Sequence, residues 1–349
     1  MAMKDIFNTA KEDSLFHKDP RWLGGDGASS LDLGDGRILW LFGDSFISGD
    51  QNGTRTDAVM IRNSIAIQTG HAPATATATM DFYWRENKNA PPSSFFPENT
   101  DGTWLWPGHG TRLDDGSLLL FAMRIRETDT GSDTPDPLGF ETVSYLAISI
   151  DNPDDNPADW RLQMLTPPDS KNGILFGMAG TVKDDEYLYA LGVRDADPDK
   201  PVYAARWPLK SLAQKDLSGI DYWNGRQWHK NITDAAPLFQ DAQTEMSLHY
   251  DAGRKDYLCI QTRGFGDTSL TVRYAQRPEG PWSEAETVCD LPKSNNKNLI
   301  SYAGKAHPHL AAENGILLSY VTNSLKVQDI FNDPALYYPR FVKLPRKTS

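Results

Sequence analysis

Two cysteines, Cys259 and Cys289, are all that this 349-residue chain contains. A disulfide framework and a cysteine-based zinc site are excluded on that count, and the expectation is two buried free thiols. Long apolar runs are missing too, and nothing approaches the ~20 residues of a spanning helix. The opening stretch "MAMKDIFNTAKEDSLF" has no apolar core of the kind a signal peptide carries. As written, the chain reads as cytoplasmic, or as secreted if a leader was removed. Positive charge is in short supply: 35 Lys and Arg stand against 47 Asp and Glu, a net −12. Nucleic acid and anionic membranes, which recruit basic surfaces, are therefore not expected partners. Helix-period patterns are scarce as well.

What is present is a folded composition, 39% hydrophobic and 23% charged, with ten Trp and thirteen Tyr. Short alternating runs broken by Gly, Asn, Asp and Pro point to a mostly β chain. One pattern recurs: a small or polar strand, an acidic or Gly/Asn turn, then a strongly apolar strand. It occurs in "LGDGRILWLF", "LDDGSLLLFAM", "VKDDEYLYALGV", "YDAGRKDYLCIQT" and "AAENGILLSYV", around Asp35, Asp115, Asp184, Gly253 and Asn314. Further strands follow most hairpins, among them "RNSIAIQTG", "VSYLAISID" and "SLTVRYAQ". Four antiparallel strands repeated five times predict an all-β, five-bladed β-propeller with four-stranded blades. The blades fall roughly at 20–87, 102–168, 173–230, 243–292 and 300–345 of a single domain. A β-sandwich with irregular loops is the alternative. The stretches "HAPATATAT" and "NAPPSSFFPEN" read as one long insertion, and "ETDTGSDTPDP" and "DNPDDNPADW" as solvated loops.

In a propeller the first strand of each blade lines the central channel, so distance from the turn maps to depth. Asp26 precedes Asp35 by nine residues and Asp44 follows it by nine. The two acids are thus expected to face each other across the hairpin, ~4.5–5.5 Å apart at Cα. Glu245, His109 and His307 fall at similar heights before their own turns. Like charges facing across strands destabilise a sheet. Next to "ILWLFG" such acids are pushed apart in pKa, so one can hold a proton while the other stays ionised. Glycoside hydrolysis needs that division, one acid for the leaving oxygen and one base or nucleophile at the anomeric carbon. The plainer alternative is that both acids bond backbone amides in "GGDGASS" and "GDSF".

These residues also carry a resemblance. "WLGGDGASSLDLGDGRILWLFGDSF", "IRNSIAIQ", "WLWPGHG", "TEMSLHYD", "RPEGPWS" and "AHPHL" resemble a five-bladed β-propeller glycosidase family that includes bacterial D-arabinan-degrading enzymes. More distantly they resemble the arabinofuranosidase and fructosidase propellers. The resemblance runs from about Trp22 to Tyr320. It implies a catalytic pair at Asp26 and Asp44; related furanosidases imply a general acid at the position of Glu245, and the two assignments conflict. One departure is His109, where the family block carries an acid.

Other candidates surround these three. Arg62 and Asn63 open a strand next in order to the hairpin and could hold a sugar hydroxyl or keep a carboxylate ionised. Trp104 and Trp106 alternate and could form a stacking platform, or else inter-blade core. Arg124 and Arg126 lie near the top of the second blade. His307 and His309 share one side of an inner strand, and with Arg62 and Arg124 could form a phosphate pocket. No third ligand accompanies the histidine pair, so no metal site is expected. No cofactor is expected either, beyond a possible structural cation in the channel. The leading reading is a glycoside hydrolase acting on a furanoside-containing oligosaccharide or polysaccharide. The alternatives are a glycoside phosphorylase and a non-catalytic glycan-binding propeller.

Overall fold

The computed structural model describes residues 9–75, 77–128, 139–264, 267–310, 312 and 315–345. Their architecture is a β-propeller of antiparallel sheets in chain order. The first sheet holds Ser29–Gly34, Arg37–Phe42, Ser64–Thr69 and Thr79–Tyr83, and the second holds Trp104–Arg112, Leu118–Glu127, Phe140–Ile150 and Leu162–Leu165. The third begins with Leu175–Lys183, the fourth with Ser247–Asp251 and the last with Leu299–His307.

The turns explain the recurring acids. Asp35 and Gly36 both have positive φ, 50° and 85°, the backbone of a tight hairpin whose twist matches its strands. Elsewhere the acid bonds the turn itself. Asp115 accepts from the Ser117 amide and hydroxyl, Asp184 from the Glu186 and Tyr187 amides, and Asp251 from the Gly253 amide. Short Asp side chains do this more readily than longer ones. The turn expected around Asn314 and most of "ETDTGSDTPDP" lie outside the described residues.

Each large sheet buries both faces, which is why the second strand of each hairpin carries a run of apolar residues. Leu39 and Leu41 pack with Leu105, Leu118 and Leu120 of the second sheet. Ile38, Trp40 and Phe42 turn the other way and pack with Leu317 and Phe341 of the last. Three more clusters fill the gaps between the second and third, third and fourth, and fourth and last sheets. The last sheet thus closes against the first.

Strand numbers depart from four per sheet. The third gains a two-residue edge, Trp228–His229, and the last has three strands among the described residues, ending with Pro339–Pro345. That final edge is covered by the N-terminal segment: Thr9 Oγ1 donates to the Phe341 carbonyl at 2.7 Å, and the Phe341 amide donates to Asp13 at 2.8 Å. An otherwise open strand edge is thereby paired. "NAPPSSFFPEN", expected as loop, forms the short strand Ala90–Ser93 and buries Phe95 and Phe96 between the first two sheets. Their apolar surface outweighs the neighbouring prolines. Cys259 and Cys289 are free and buried, and burial pushes their thiols up to about 12 and 11. Among the described residues no helix is long and apolar enough to cross a membrane.

Candidate active site

Between the small sheet Trp22–Gly25/Ser45–Ile47/Val59–Ile61 and the first large sheet, the first hairpin bends. The bend is Asp26–Gly27–Ala28, with Gly27 at φ 83° and Ala28 at φ 49°. Flanking pairs Gly25↔Ser45 and Ser29↔Leu41 keep Asp26 level with Asp44, and the Asp26 amide donates to the Asp44 carbonyl at 3.3 Å. The expected opposition therefore exists in the backbone. The side chains then part. Asp26 Oδ2 accepts from the Tyr302 hydroxyl at 2.7 Å and the Tyr337 hydroxyl at 3.2 Å, both from the last sheet and its approach. Asp44 Oδ1 accepts from the Trp106 indole at 2.9 Å, and its Oδ2 lies 3.5 Å from Arg62, both from the opposite side.

Gly43 lies between them. A Cβ built there would stand 2.4 Å from Asp26 Oδ1 and 3.8 Å from the Trp106 ring. Glu245, from the approach to the fourth sheet, completes the group: its Oε1 is 3.6 Å from where a Cβ of Gly27 would be. Beneath runs Lys305, only 2% exposed, whose ammonium donates to the Gly27 carbonyl at 2.8 Å and stands 3.5 Å from Glu245 Oε1.

Electrostatics separates the acids. Burial pushes Asp26 up to about 8, with the Glu245 and Asp44 charges adding to it and the two tyrosine bonds opposing. Burial also raises Asp44, but the Trp106 bond and the Arg62 charge hold it to about 6. Asp26 is therefore the more basic member of the pair and Asp44 the more readily ionised. Burial lowers the Lys305 ammonium, while Glu245 works to keep it charged.

Several expected site residues are placed elsewhere. Asn63 is fully buried and does not reach the funnel. Its amide donates to the Phe96 and Leu105 carbonyls and its oxygen accepts from the Phe96 amide, so it joins the first two sheets. Trp104 is 5% exposed and roofed by the Arg62 guanidinium 4.1 Å from its ring centroid. It belongs to the core; a stacking platform of the Trp104–Trp106 pair is therefore not formed, and Trp106 serves Asp44 instead. His109 is buried, held to about 3 by burial and then by Lys305, and bonds the Met246 carbonyl at 3.0 Å. It supports the residue beside Glu245.

His307 has no exposure, and both ring nitrogens are occupied, by the Ser30 and Ser319 hydroxyls at 2.6 and 2.8 Å. Past the end of that strand, His309 is held to about 4 mainly by burial, and its carbonyl bonds His71. Arg124 pairs with Asp101 at 3.0 Å and Arg126 bonds Glu141 at 2.7 Å. A phosphate pocket of Arg62, Arg124, His307 and His309 is thus not assembled. Among the described residues no group of three or more His, Cys, Asp or Glu is arranged to hold a metal ion.

Tyr302, Tyr337 and Lys305 were not anticipated. Lys305 had a signal: it lies two residues before His307 on an inner strand, so it shares the channel face with it. Tyr302 and Tyr337 had none, since neither has a fixed spacing from the hairpin it serves.

The chain belongs to a family described as a domain of unknown function, DUF5005, which matches residues 10–346. No curated protein matches the sequence. Among solved structures, a Bacteroides ovatus protein provisionally assigned to the hydrolases is similar, with a TM-score of 0.74 and 18% identity over 95% of this chain and 88% of that one. An endo-arabinase of Bacteroides thetaiotaomicron gives a TM-score of 0.50 at 12% identity, over 93% and 95%. An α-L-arabinofuranosidase of Podospora anserina solved with cellotriose gives 0.50 at 10%, over 93% and 91%. At these identities the likeness is one of fold.

Proposed function

We propose that the chain is a glycoside hydrolase that cleaves a furanoside-type, arabinofuranoside-like bond in an oligosaccharide or polysaccharide. The observation that carries this is a pair of acids level in the backbone and held by separate partners, Asp26 by Tyr302 and Tyr337 and Asp44 by Trp106 and Arg62, with burial raising Asp26 above Asp44. Asp26 is the proton donor to the leaving oxygen: its Oδ2 is taken by two tyrosines, which leaves Oδ1 for the proton. Asp44, held as an anion by Trp106 and Arg62, is the base or nucleophile. Glu245 adds the charge that keeps Asp26 protonated. The propeller fold shared with an arabinase and an arabinofuranosidase supports the substrate class by analogy.

The test is turnover of aryl furanosides, aryl pyranosides and arabinan fragments, with and without phosphate, by wild type, Asp26→Asn and Asp44→Asn. An acid variant keeps activity toward substrates with good leaving groups, whereas loss of the base or nucleophile removes it toward all. Release of sugar without phosphate, with that split between variants, is expected. Turnover that requires phosphate would make the protein a phosphorylase, and binding without turnover would make it a lectin.

A further inference from the structure

Resting on the reading of Asp26 as the catalytic acid, we infer that Arg55 is a positioning residue. It clamps the segment 330–336 to the strand Trp22–Gly25 and so presents the Tyr337 hydroxyl to Asp26.

Arg55 is 6% exposed, and among the described residues its guanidinium is answered by backbone carbonyls rather than by a carboxylate. Nε donates to Leu23 at 2.7 Å, Nη1 to Ile330 and Asp333 at 2.8 and 3.1 Å, and Nη2 to Pro334 at 3.3 Å and to Leu336. Five bonds match the five N–H donors a guanidinium owns. A buried charge without a counter-ion is costly. A neutral amide has two N–H donors and cannot answer five carbonyls, so this contact depends on the guanidinium fork. The fork gathers four carbonyls around the end of the helix Val327–Asn332 and joins them to a residue three before Asp26.

What the clamp delivers is Tyr337. Its backbone has φ 63°, a left-handed conformation that is unfavourable for a residue with a side chain. Strain of this kind persists where the surroundings over-determine it. Gly24 fits against it: a Cβ there would lie 2.4 Å from the Tyr337 carbonyl oxygen and 3.2 Å from Arg55 Nη2. The strand leading to Asp26 and the segment leading to Tyr337 are thus in closer contact than any residue but glycine permits. From this position the Tyr337 hydroxyl reaches Asp26 Oδ2.

The charged and titratable groups around the pair are few. Glu245, Asp44, Tyr302, Tyr337 and Lys305 act on Asp26, Tyr338, Tyr337 and Asp333 act on Arg55, and His17 feels the Arg55 charge. The Arg55 guanidinium also lies 5.2 Å from the Tyr338 ring centroid.

The experiment follows the Asp26 carboxyl carbon by NMR titration in wild type, Tyr337→Phe, Arg55→Lys and the double variant, with the resonance assigned by its loss in Asp26→Asn. Removing a hydrogen bond to the ionised form raises the midpoint, by about one pH unit in Tyr337→Phe. Arg55→Lys raises it in the same direction, and the double variant rises no further than Tyr337→Phe alone. An unmoved midpoint in Arg55→Lys, or a shift that adds to that of Tyr337→Phe, overturns the clamp. If Arg55→Lys does not fold, Arg55→Gln takes its place in the cycle and is read by the same two outcomes. The titration needs no substrate. A protein with no turnover but the shared shift keeps the clamp and loses only the hydrolase reading.

Discussion

Lys305 of the last sheet stands 3.5 Å from Glu245 of the fourth and bonds the carbonyl of Gly27 in the first. Three distant parts of the chain therefore meet at one ammonium. Removing it strips Glu245 of its counter-charge and releases the bend that carries Asp26. Lys305→Met is expected to lower kcat/KM by about 10- to 100-fold, the value of one or two charge-assisted hydrogen bonds. Steady-state kinetics with a folded variant, verified by circular dichroism, checks this.

The raised titration of Asp26 has a consequence for stability. An unfolded Asp ionises at 3.8, whereas the native group holds its proton to about 8. Between those values the native state binds more protons than the unfolded one, so stability falls as pH rises through the window. Asp26→Asn removes that penalty. The variant is expected to be about 1–3 kcal/mol more stable than wild type at pH 8, with the advantage vanishing near pH 4. Urea melts at several pH values would show it, and equal stability at pH 8 would refute the shift.

Gly43 touches both acids without taking part in chemistry. A methyl group there would stand 2.4 Å from Asp26 Oδ1, the oxygen that carries the proton in the proposed reaction. Gly43→Ala is expected to displace the carboxyl and cut kcat by about 100-fold or more, since small misplacements of reacting groups carry penalties of that order. KM should move little. A variant with wild-type kcat would show that Asp26 Oδ1 is not the donor.

Asn63 gives the opposite pattern. Asn63→Ala leaves the Phe96 amide and two carbonyls buried without partners. A loss of about 2–4 kcal/mol is expected, with KM unchanged in the folded fraction. Thermal melts and kinetics on the same preparation separate the two effects.

The repeat was readable because the four hairpin turns among the described residues obey the same local physics: a turn that needs an acid or glycine, then a strand buried on both faces. Asp26 and Asp44 were readable for the same reason, since equal spacing from one tight turn sets them level in the backbone. Where their carboxylates point was not readable, because Tyr302, Tyr337 and Trp106 come from other sheets or their approaches and their reach depends on how those sheets pack. Asn63 and Trp104 were misplaced on the funnel for a related reason. A polar or aromatic residue at the head of a strand looks alike in sequence whether it faces a ligand or the adjacent blade. Phe95 and Phe96 were lost among prolines, where composition spoke for a loop and two large rings decided otherwise.

The division of labour around Asp26 also bears on how the protein is made. Its partners Tyr302 and Tyr337, and Lys305 that holds the neighbouring Gly27, all lie in or beside the last sheet. During synthesis the first four sheets can emerge and pack, giving Asp44 its Trp106 and Arg62 partners while Asp26 still lacks its two tyrosines. The Asp26 carboxylate gains its hydrogen-bond donors only when the closing sheet docks. A nascent or truncated chain that has folded most of its mass would thus have an inert centre, and the onset of turnover would mark the moment the circle is complete.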